Sequence, residues 1–149
     1  MTQNILSPFH LAIPVNDLAS TEKFYGTMMG LSTGRKTADW IDWNLFGHQL
    51  TTHVKSDETA LISGNNVDGK TVPVRHFGVI LGWDIWHELR DRLIGQTVFD
   101  KIDFIIEPYI RFQGEIGEQA TMFFLDSSHN ALEFKSFKDM SEIFRPYDE

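Results

Sequence analysis

Two histidines stand in similar surroundings in the two halves of the sequence. His10 and His76 each occupy the second position of a short apolar segment, 9–15 and 75–81, and each is followed two positions later by a small residue. A repeat with two-fold symmetry would bring two such imidazoles face to face, and imidazole is a common ligand of divalent metal ions. A single histidine in an apolar strand is more often an ordinary core residue. The pairing of the two therefore favours a metal site.

A carboxylate that would complete such a site lies in the last apolar segment of the chain. Glu133 stands between Leu132 and Phe134, and because side chains alternate along a strand, it points to the opposite face from both. Two imidazoles and one carboxylate leave coordination positions open on a divalent ion for substrate, oxygen or water, as in catalytic sites. The other interpretation of Glu133 is a solvent-facing residue on an amphipathic strand.

Five further polar residues are candidates for substrate binding or proton transfer. His53 lies four positions after Gln49 and would share its strand face. Tyr109 and Arg111 would also share a face, and an arginine can form two parallel hydrogen bonds to a carboxylate or enolate. Gln119 is a candidate for the same cavity. We predict catalytic roles for His53, Tyr109 and Arg111, and substrate-binding roles for Gln49, Gln119 and Arg111, although each could instead be a surface strand residue.

The elements that carry these residues occur in the same order in both halves. The turn-rich segment 63–70 has no apolar periodicity and indicates a linker. The sequence on either side predicts strand, helix and then further strands. We therefore predict an α+β fold of two tandem βαβββ modules that form a curved mixed sheet around a metal-binding cleft. The predicted single domain over 1–149 comprises module 1 (about 7–63), the linker (about 63–72), module 2 (about 73–138) and a C-terminal tail (139–149).

Capping and breaking residues set the bounds of the predicted elements. Asn16 and Asp17 can cap the first helix, and Gly30 ends it. Pro108 is predicted to break a strand because proline lacks a backbone donor. After the opening strands, the predicted elements are a helix at 18–29, strands at 40–46, 48–54 and, weakly marked, about 59–62, a helix at 83–93, and strands at 104–110, 119–125 and 131–137.

Composition excludes several classes of function. The chain has no cysteine, which excludes disulfides, thiolate metal sites and cysteine nucleophiles and favours a reducing compartment. Its 13 Lys and Arg against 21 Asp and Glu give a net charge of −8, and the scattered basic residues argue against nucleic acid. No segment approaches the roughly 18 apolar residues of a membrane span, and the first residues do not resemble a signal peptide. We expect a soluble cytoplasmic protein.

Four motifs follow one another along the chain in a recognisable order. They are His-x-Ala-Ile-x-Val-x-Asp-Leu from His10, a Phe-Tyr helix ending in Gly-Leu, His-Phe-Gly-Val from His76, and Asp-x-x-x-Asn-x-Leu-Glu-Phe-Lys ending at Lys135. Together they strongly resemble the vicinal oxygen chelate superfamily, which includes glyoxalases, extradiol-type dioxygenases, fosfomycin-modifying enzymes and bleomycin-binding proteins. The resemblance covers roughly residues 8–137 and is closest to small bacterial dioxygenase- or glyoxalase-like proteins.

This resemblance implies a ligand set for one divalent ion. The metal positions of the superfamily fall on His10, His76 and Glu133. A fourth position, which is Glu in some glyoxalases, falls on Gln49 when the strands that contain Gln49 and Glu133 are aligned. A neutral amide is a poorer ligand than a carboxylate, so this departure argues against a glyoxalase that uses that Glu as its base.

The resemblance also implies a function. We expect a divalent-metal-dependent enzyme in which a small oxygenated organic substrate chelates the ion through two oxygens, with dioxygenase-like chemistry such as ring cleavage. Fe²⁺ is favoured, and Mn²⁺, Ni²⁺ and Zn²⁺ are the alternatives. A glyoxalase-like isomerase or lyase, a metal-free ligand-sequestering protein and a purely structural dimer are the other hypotheses. We also expect a homodimer, because members of the superfamily of this size often pair, and a small-molecule substrate.

Overall fold

The chain divides into two units, Met1–Thr59 and Ala60–Glu149. The structure is a computed structural model and describes residues 6–59, 64–67, 69–96 and 100–146. Within these ranges, no helix has both the length and the apolar character needed to cross a bilayer.

A four-stranded mixed sheet forms the first unit. Its strands lie in the order β1-β4-β3-β2, with β1 parallel to β4 and the other neighbours antiparallel. The short helix α1 begins after the N-cap Asp17, whose carboxylate accepts a hydrogen bond from the Ser20 amide, and it continues as a π-helical segment. The elements are β1 (His10–Val15), α1 (Leu18–Thr21), the π-helical segment (Glu22–Met28), β2 (Thr33–Lys36), β3 (Trp40–Leu45) and β4 (His48–Val54).

One face of this sheet packs against the helical segment and forms the core of the first unit. Tyr25 and Trp43 are fully buried, and their ring centroids lie 5.6 Å apart. The indole Nε1 of Trp43 donates a 3.1 Å hydrogen bond to Thr52 Oγ1 on the neighbouring strand. Because side chains alternate, this packing directs Gln49 and the other odd-numbered residues of β4 to the opposite face.

A hairpin, a helix and a three-stranded antiparallel sheet form the second unit. The sheet has the order β7-β8-β9, and Phe77 and Ile80 add parallel bridges to β9. In both units the opening segment thus runs parallel to the last strand, which confirms the mixed α+β class and supports the repeat. The elements are β5 (Gly64–Val67), β6 (Lys70–Pro73), α2 (Trp83–Ile94), β7 (Asp103–Arg111), β8 (Gln119–Leu125), β9 (Ala131–Phe137) and a 3₁₀ helix (Met140–Phe144).

Several elements differ from their predicted form. The segment predicted as a linker contains the β5–β6 hairpin, and the predicted opening strand 75–81 makes isolated bridges rather than a continuous strand. Pro108 does not end β7. The strand continues past the proline, and its pairing with β8 shifts register between Ile106 and Tyr109. Residues 60–62 of the weakly marked strand at about 59–62 lie outside the described residues.

Hydrogen bonds between the opening segment and the last strand give the pairing register of each unit. The Gln49 amide donates to the Phe9 carbonyl oxygen at 2.9 Å, and the Glu133 amide donates to the Phe77 carbonyl oxygen at 2.8 Å. When Gln49 is aligned with Glu133, as the sequence alignment of the two strands has it, Phe9 corresponds to Phe77.

The two histidines are not equivalent in this register. With that alignment His10 corresponds to Gly78, two positions after His76, so the expected equivalence of His10 with His76 and that of Gln49 with Glu133 do not both hold. Gly78 shows why the second segment departs from a regular strand. A Cβ atom there would lie 1.5 Å from the Glu133 carbonyl oxygen, so Gly78 is small because a backbone packs on it and not to leave room for a ligand.

Candidate functional site

His76 and Glu133 contact each other directly in the second unit. The distance from His76 Nε2 to Glu133 Oε2 is 3.1 Å, and His76 Nδ1 lies 2.5 Å from the Pro73 carbonyl oxygen. A carbonyl oxygen only accepts, so Nδ1 carries a proton and Nε2 is the nitrogen directed at the carboxylate. The ring of Phe123 packs edge-on against the imidazole, with centroids 5.1 Å apart. These three contacts fix the orientation of the imidazole.

The carboxylate of Glu133 has two further partners. Thr121 Oγ1 donates a 2.9 Å hydrogen bond to Oε1, and Lys135 Nζ lies 3.2 Å from the same oxygen. The hydrogen bond to Glu133 raises the pKa of His76, against the opposing effect of burial. Burial by itself would raise the pKa of Glu133, but the hydrogen bond from His76 and the charge of Lys135 outweigh it, and this pKa is lowered.

A cavity of about 210 Å³ lies beside this pair and is also lined by two further predicted residues. Tyr109 and Arg111 of β7 line it, together with Lys135 of β9. The β5–β6 hairpin forms another wall and contributes Lys70, whose ammonium lies 4.7 Å from the centroid of the Tyr109 ring. The structure therefore brings His76, Glu133, Tyr109 and Arg111 together around one cavity.

Gln119 lies at the edge of this arrangement. It is buried, pairs with Arg111 in the β7–β8 register, and lines a larger neighbouring cavity of about 550 Å³. Arg111 and Lys135 line both cavities, and Phe137 belongs to the larger one. Gln119 thus shares a cavity with Arg111, as predicted, but it is not among the residues that line the smaller one with Tyr109.

The remaining predicted residues share one face of the first unit's sheet. His10 pairs with Gln49, and His53 pairs with both Pro14 and Trp40, so the three predicted side chains project from the same side of β1 and β4. Gln49 is half-buried, and His10 and His53 are exposed.

Asp42 occupies the middle of the same face and was not predicted as a site residue. Thr51 Oγ1 donates a 2.6 Å hydrogen bond to its Oδ1, and Arg35 Nε lies 3.0 Å from its Oδ2. The hydrogen bond from Thr51 is the main reason that the pKa of Asp42 lies below its usual value, and Arg35 and Gln49 lower it further against the effect of burial. Asp42 is therefore a buried carboxylate that holds the Gln49 side chain.

The second unit offers two donors that fit a divalent ion. Among the described residues, no group of three or more His, Asp or Glu side chains is placed to hold a metal. His76 nevertheless has the feature of a ligating imidazole, since its other nitrogen donates to a backbone carbonyl and so fixes the tautomer. With the carboxylate of Glu133, it fits two positions of such a site, and the third donor stays a prediction.

Three residues of the second unit's site were missed by sequence reasoning. Lys135 stands two positions after Glu133, so strand alternation alone could have placed it on the same face. Thr121 reaches Glu133 only through the pairing of β8 with β9, and Lys70 reaches the cavity only through the hairpin. Neither position carries a local sequence signal.

Solved structures show the family to which this architecture belongs. A glyoxalase/bleomycin resistance protein/dioxygenase from Alicyclobacillus acidocaldarius is 31% identical, with a TM-score of 0.73, over 96% of this chain and 100% of that chain. The chain belongs to this family. It is therefore a member of the vicinal oxygen chelate superfamily, as its motifs predict. Comparisons with protein-family models and with curated protein sequences find no match.

More distant members of the superfamily share the fold. A fosfomycin resistance protein from Listeria monocytogenes is 16% identical, with a TM-score of 0.63, over 93% of this chain and 98% of that chain. A glyoxalase/dioxygenase from Nostoc punctiforme is 15% identical, with a TM-score of 0.60, over 93% of this chain and 96% of that chain. Similarity at this level shows that proteins named for different activities share this fold. It does not indicate which of those activities this chain has.

Proposed function

We propose that the chain is a divalent-metal-dependent enzyme that acts on a small oxygenated organic substrate. In this proposal His10, His76 and Glu133 hold the ion, and Fe²⁺ is the favoured metal over Mn²⁺, Ni²⁺ and Zn²⁺. The observation that carries the proposal is the His76–Glu133 pair, in which the bond from Nδ1 to the Pro73 carbonyl oxygen directs Nε2 at the carboxylate beside a cavity. Membership of the family supports it.

The cavity residues have separate roles in this proposal. A bound divalent ion would supply electrophilic stabilisation to two chelating substrate oxygens. Arg111 supplies a planar guanidinium for a carboxylate or enolate, and Tyr109 supplies a phenol that can donate or accept a proton. Phe123 and Val72 form an apolar part of the cavity wall and limit the water in the cavity.

Dioxygenase-like chemistry is the reaction that we favour within this proposal. Two imidazoles and one carboxylate with open positions suit an iron(II) oxygenase. The alignment of the two strands puts Gln49 at the position of Glu133, and its neutral amide suits a three-ligand site better than a glyoxalase site with four ligands. His53 on the same face and Gln119 in the larger cavity are proposed to contact substrate.

A metal-free ligand-binding protein is the second candidate, and one contact favours it. Lys135 Nζ lies 3.2 Å from Glu133 Oε1, and His76 occupies the other oxygen, so both oxygens of the carboxylate have cationic or hydrogen-bonding partners without an ion. A site that is already paired in this way can bind an organic ligand without metal.

Metal binding distinguishes the two candidates. The purified protein is loaded with Fe²⁺, Mn²⁺, Ni²⁺ or Zn²⁺, passed through a desalting column and analysed for its elemental content. We expect one ion per chain in the wild type and a loss of affinity greater than about 100-fold in His76→Ala and Glu133→Gln, because changes to residues outside the ligand shell alone cost about 10- to 100-fold.

His87→Ala is the matched control. His87 Nδ1 also lies close to a backbone carbonyl oxygen, that of Trp83 at 2.7 Å, but His87 is on α2 and does not line the cavity. Retention of the ion in this variant is expected. A wild type that retains no stoichiometric ion would exclude the metal enzyme and leave the binding protein. Equal metal binding by wild type and His76→Ala would show that the site is misplaced.

A further inference from the structure

The smaller cavity has a cationic lining in an acidic chain. Its described lining residues include Lys70, Arg111 and Lys135, with Glu133 as the one carboxylate among them, whereas the whole chain carries a net charge of −8. The positive lining is therefore local to the cavity and is not a consequence of overall composition. A concave site with one sign of charge concentrates ligands of the opposite sign.

The positive charge is concentrated at one end of the cavity. Lys135 lies 3.2 Å from Glu133, so its charge is largely balanced there. Lys70 makes no salt bridge to any residue that the structure describes, and its ammonium is held over the ring of Tyr109. Arg111 lies two positions beyond Tyr109 on the same strand. Lys70 and Arg111 thus form a cationic end around Tyr109.

The sheet register separates this end from the His76–Glu133 pair. Glu133 pairs with Phe123, and Tyr109 pairs with Thr121, which lies two residues before Phe123 in β8. Two residues of an extended strand span about 7 Å. The cationic end and the His76–Glu133 end therefore occupy neighbouring side-chain rows, and Phe123 adds apolar cavity wall in the same row as Glu133.

We propose that this cavity binds a small organic acid, with its carboxylate on Lys70 and Arg111 and its apolar body along Phe123. This inference deepens the proposed function. It rests on that function in one respect, which is that the end of the ligand next to His76 and Glu133 is the reacting end. In such a ligand, a carbon framework separates the carboxylate from the reacting group. The ligand therefore differs from an acid whose oxygen-bearing groups are on adjacent carbons.

Binding of benzoate to the metal-free, full-length protein tests this inference. Benzoate is titrated calorimetrically beside benzamide, a neutral molecule of the same shape. We expect saturable benzoate binding that weakens as salt is added and little binding of benzamide. Lys70→Gln and Arg111→Gln are each expected to weaken benzoate binding about tenfold, because each removes a charge-assisted contact to the carboxylate.

Lys138→Gln is the matched control for Lys70→Gln. The Lys138 ammonium also lies over an aromatic ring, 4.5 Å from the centroid of Trp83, but Lys138 does not line the cavity. Its substitution is expected to leave benzoate binding unchanged. Lys70 is exposed, so its variant should fold even if Arg111→Gln does not.

Four outcomes would overturn the inference. They are no saturable benzoate binding in the millimolar range, equal binding of benzoate and benzamide, unchanged binding in both Lys70→Gln and Arg111→Gln, and an equal loss in Lys138→Gln. Failure of the proposed function is distinguishable from these. If the protein binds benzoate at this site but retains no metal, the acid-binding inference stands and the metal-enzyme proposal fails. If it retains metal but does not bind benzoate, the metal-enzyme proposal stands and the acid-binding inference fails.

Discussion

Asp42 carries a charge into the interior of the first unit. Its side chain is 7% exposed, and the hydrogen bond from Thr51 is the main reason that its pKa is lowered. A carboxyl with a lower pKa in the folded chain than in the unfolded chain stabilises the fold above the unfolded pKa, and that contribution is lost as the pH falls through the folded pKa. The acid stability of the chain is therefore tied to this side chain.

The Asp42→Asn variant tests this dependence. At neutral pH we expect its unfolding free energy to be about 1 to 3 kcal/mol below that of the wild type, because the amide replaces a charged acceptor in a buried network. The difference should narrow as the pH falls below the ordinary value of 3.8 and through the lowered pKa of Asp42, because the wild type then protonates Asp42 and loses the same contribution. Urea denaturation at each pH measures both quantities.

The two partners of Asp42 provide the comparison. Thr51→Val should cost about 1 to 3 kcal/mol, because it leaves a buried carboxylate without its closest donor. Arg35→Gln should cost under about 1 kcal/mol, since the Arg35 side chain is 76% exposed and its ion pair is screened by water. A larger loss in Arg35→Gln than in Thr51→Val would contradict the assignment of the hydrogen bond as the main cause.

Residue types identified part of the candidate site and missed the rest for a physical reason. His76 and Glu133 could be selected because a histidine and a carboxylate in apolar strands are uncommon and suit a metal. Thr121 and Lys70 are ordinary residues in their own segments and gain a role only from strand pairing. Such pairing depends on register, which composition does not encode.

Gly78 is the position at the element scale where one methyl group should have the largest effect. The segment around it bridges to β9 at Phe77 and Ile80, and a Cβ atom at Gly78 would lie 1.5 Å from the carbonyl oxygen and 2.6 Å from the carbonyl carbon of Glu133. Both are backbone atoms of a central pairing, so neither can move cheaply. We expect Gly78→Ala to lower the unfolding free energy by more than about 3 kcal/mol, as measured by urea denaturation.

Gly82→Ala is the control for a methyl group in the same connection. A Cβ atom at Gly82 would meet no atom within 4 Å, and its φ of −59° is ordinary for alanine. Its cost should stay at about 1 kcal/mol or less, the difference between glycine and alanine as an N-cap. If Gly78→Ala were as stable as Gly82→Ala, the close packing of this segment on β9 would be refuted.

Most elements were predictable because their periodicity is strong. Helix α2 and strands β3, β4, β8 and β9 agree with their predicted bounds within one residue. The β5–β6 hairpin was missed because Gly64, Asn65 and Asn66 are typical of turns, and their strand pairing shows no alternation of apolar residues. The conflict between the equivalence of His10 with His76 and that of Gln49 with Glu133 was missed because matching short motifs does not reveal the register of pairing.

At the scale of the whole molecule, the prediction concerns the number of chains in the active protein. The His76–Glu133 pair of the second unit supplies two donors, and the third proposed ligand, His10, lies in the first unit. The family resemblance implies a homodimer that builds each site from two chains. We therefore expect light scattering at micromolar concentration to give twice the chain mass of 17.2 kDa, and a monomer would contradict the prediction.

Mixed dimers test whether the proposed site is shared. His10→Ala and His76→Ala are each expected to lose the ion when purified alone. If His10 of one copy joins His76 and Glu133 of the other, a dimer of one His10→Ala chain and one His76→Ala chain retains one intact ligand set, whereas a site within one chain is lost in both. We expect the coexpressed, doubly tagged mixed dimer to bind one ion per two chains. No recovery in a stable mixed dimer would place all three ligands in the same chain, and retention of the ion by His10→Ala alone would remove His10 from the set.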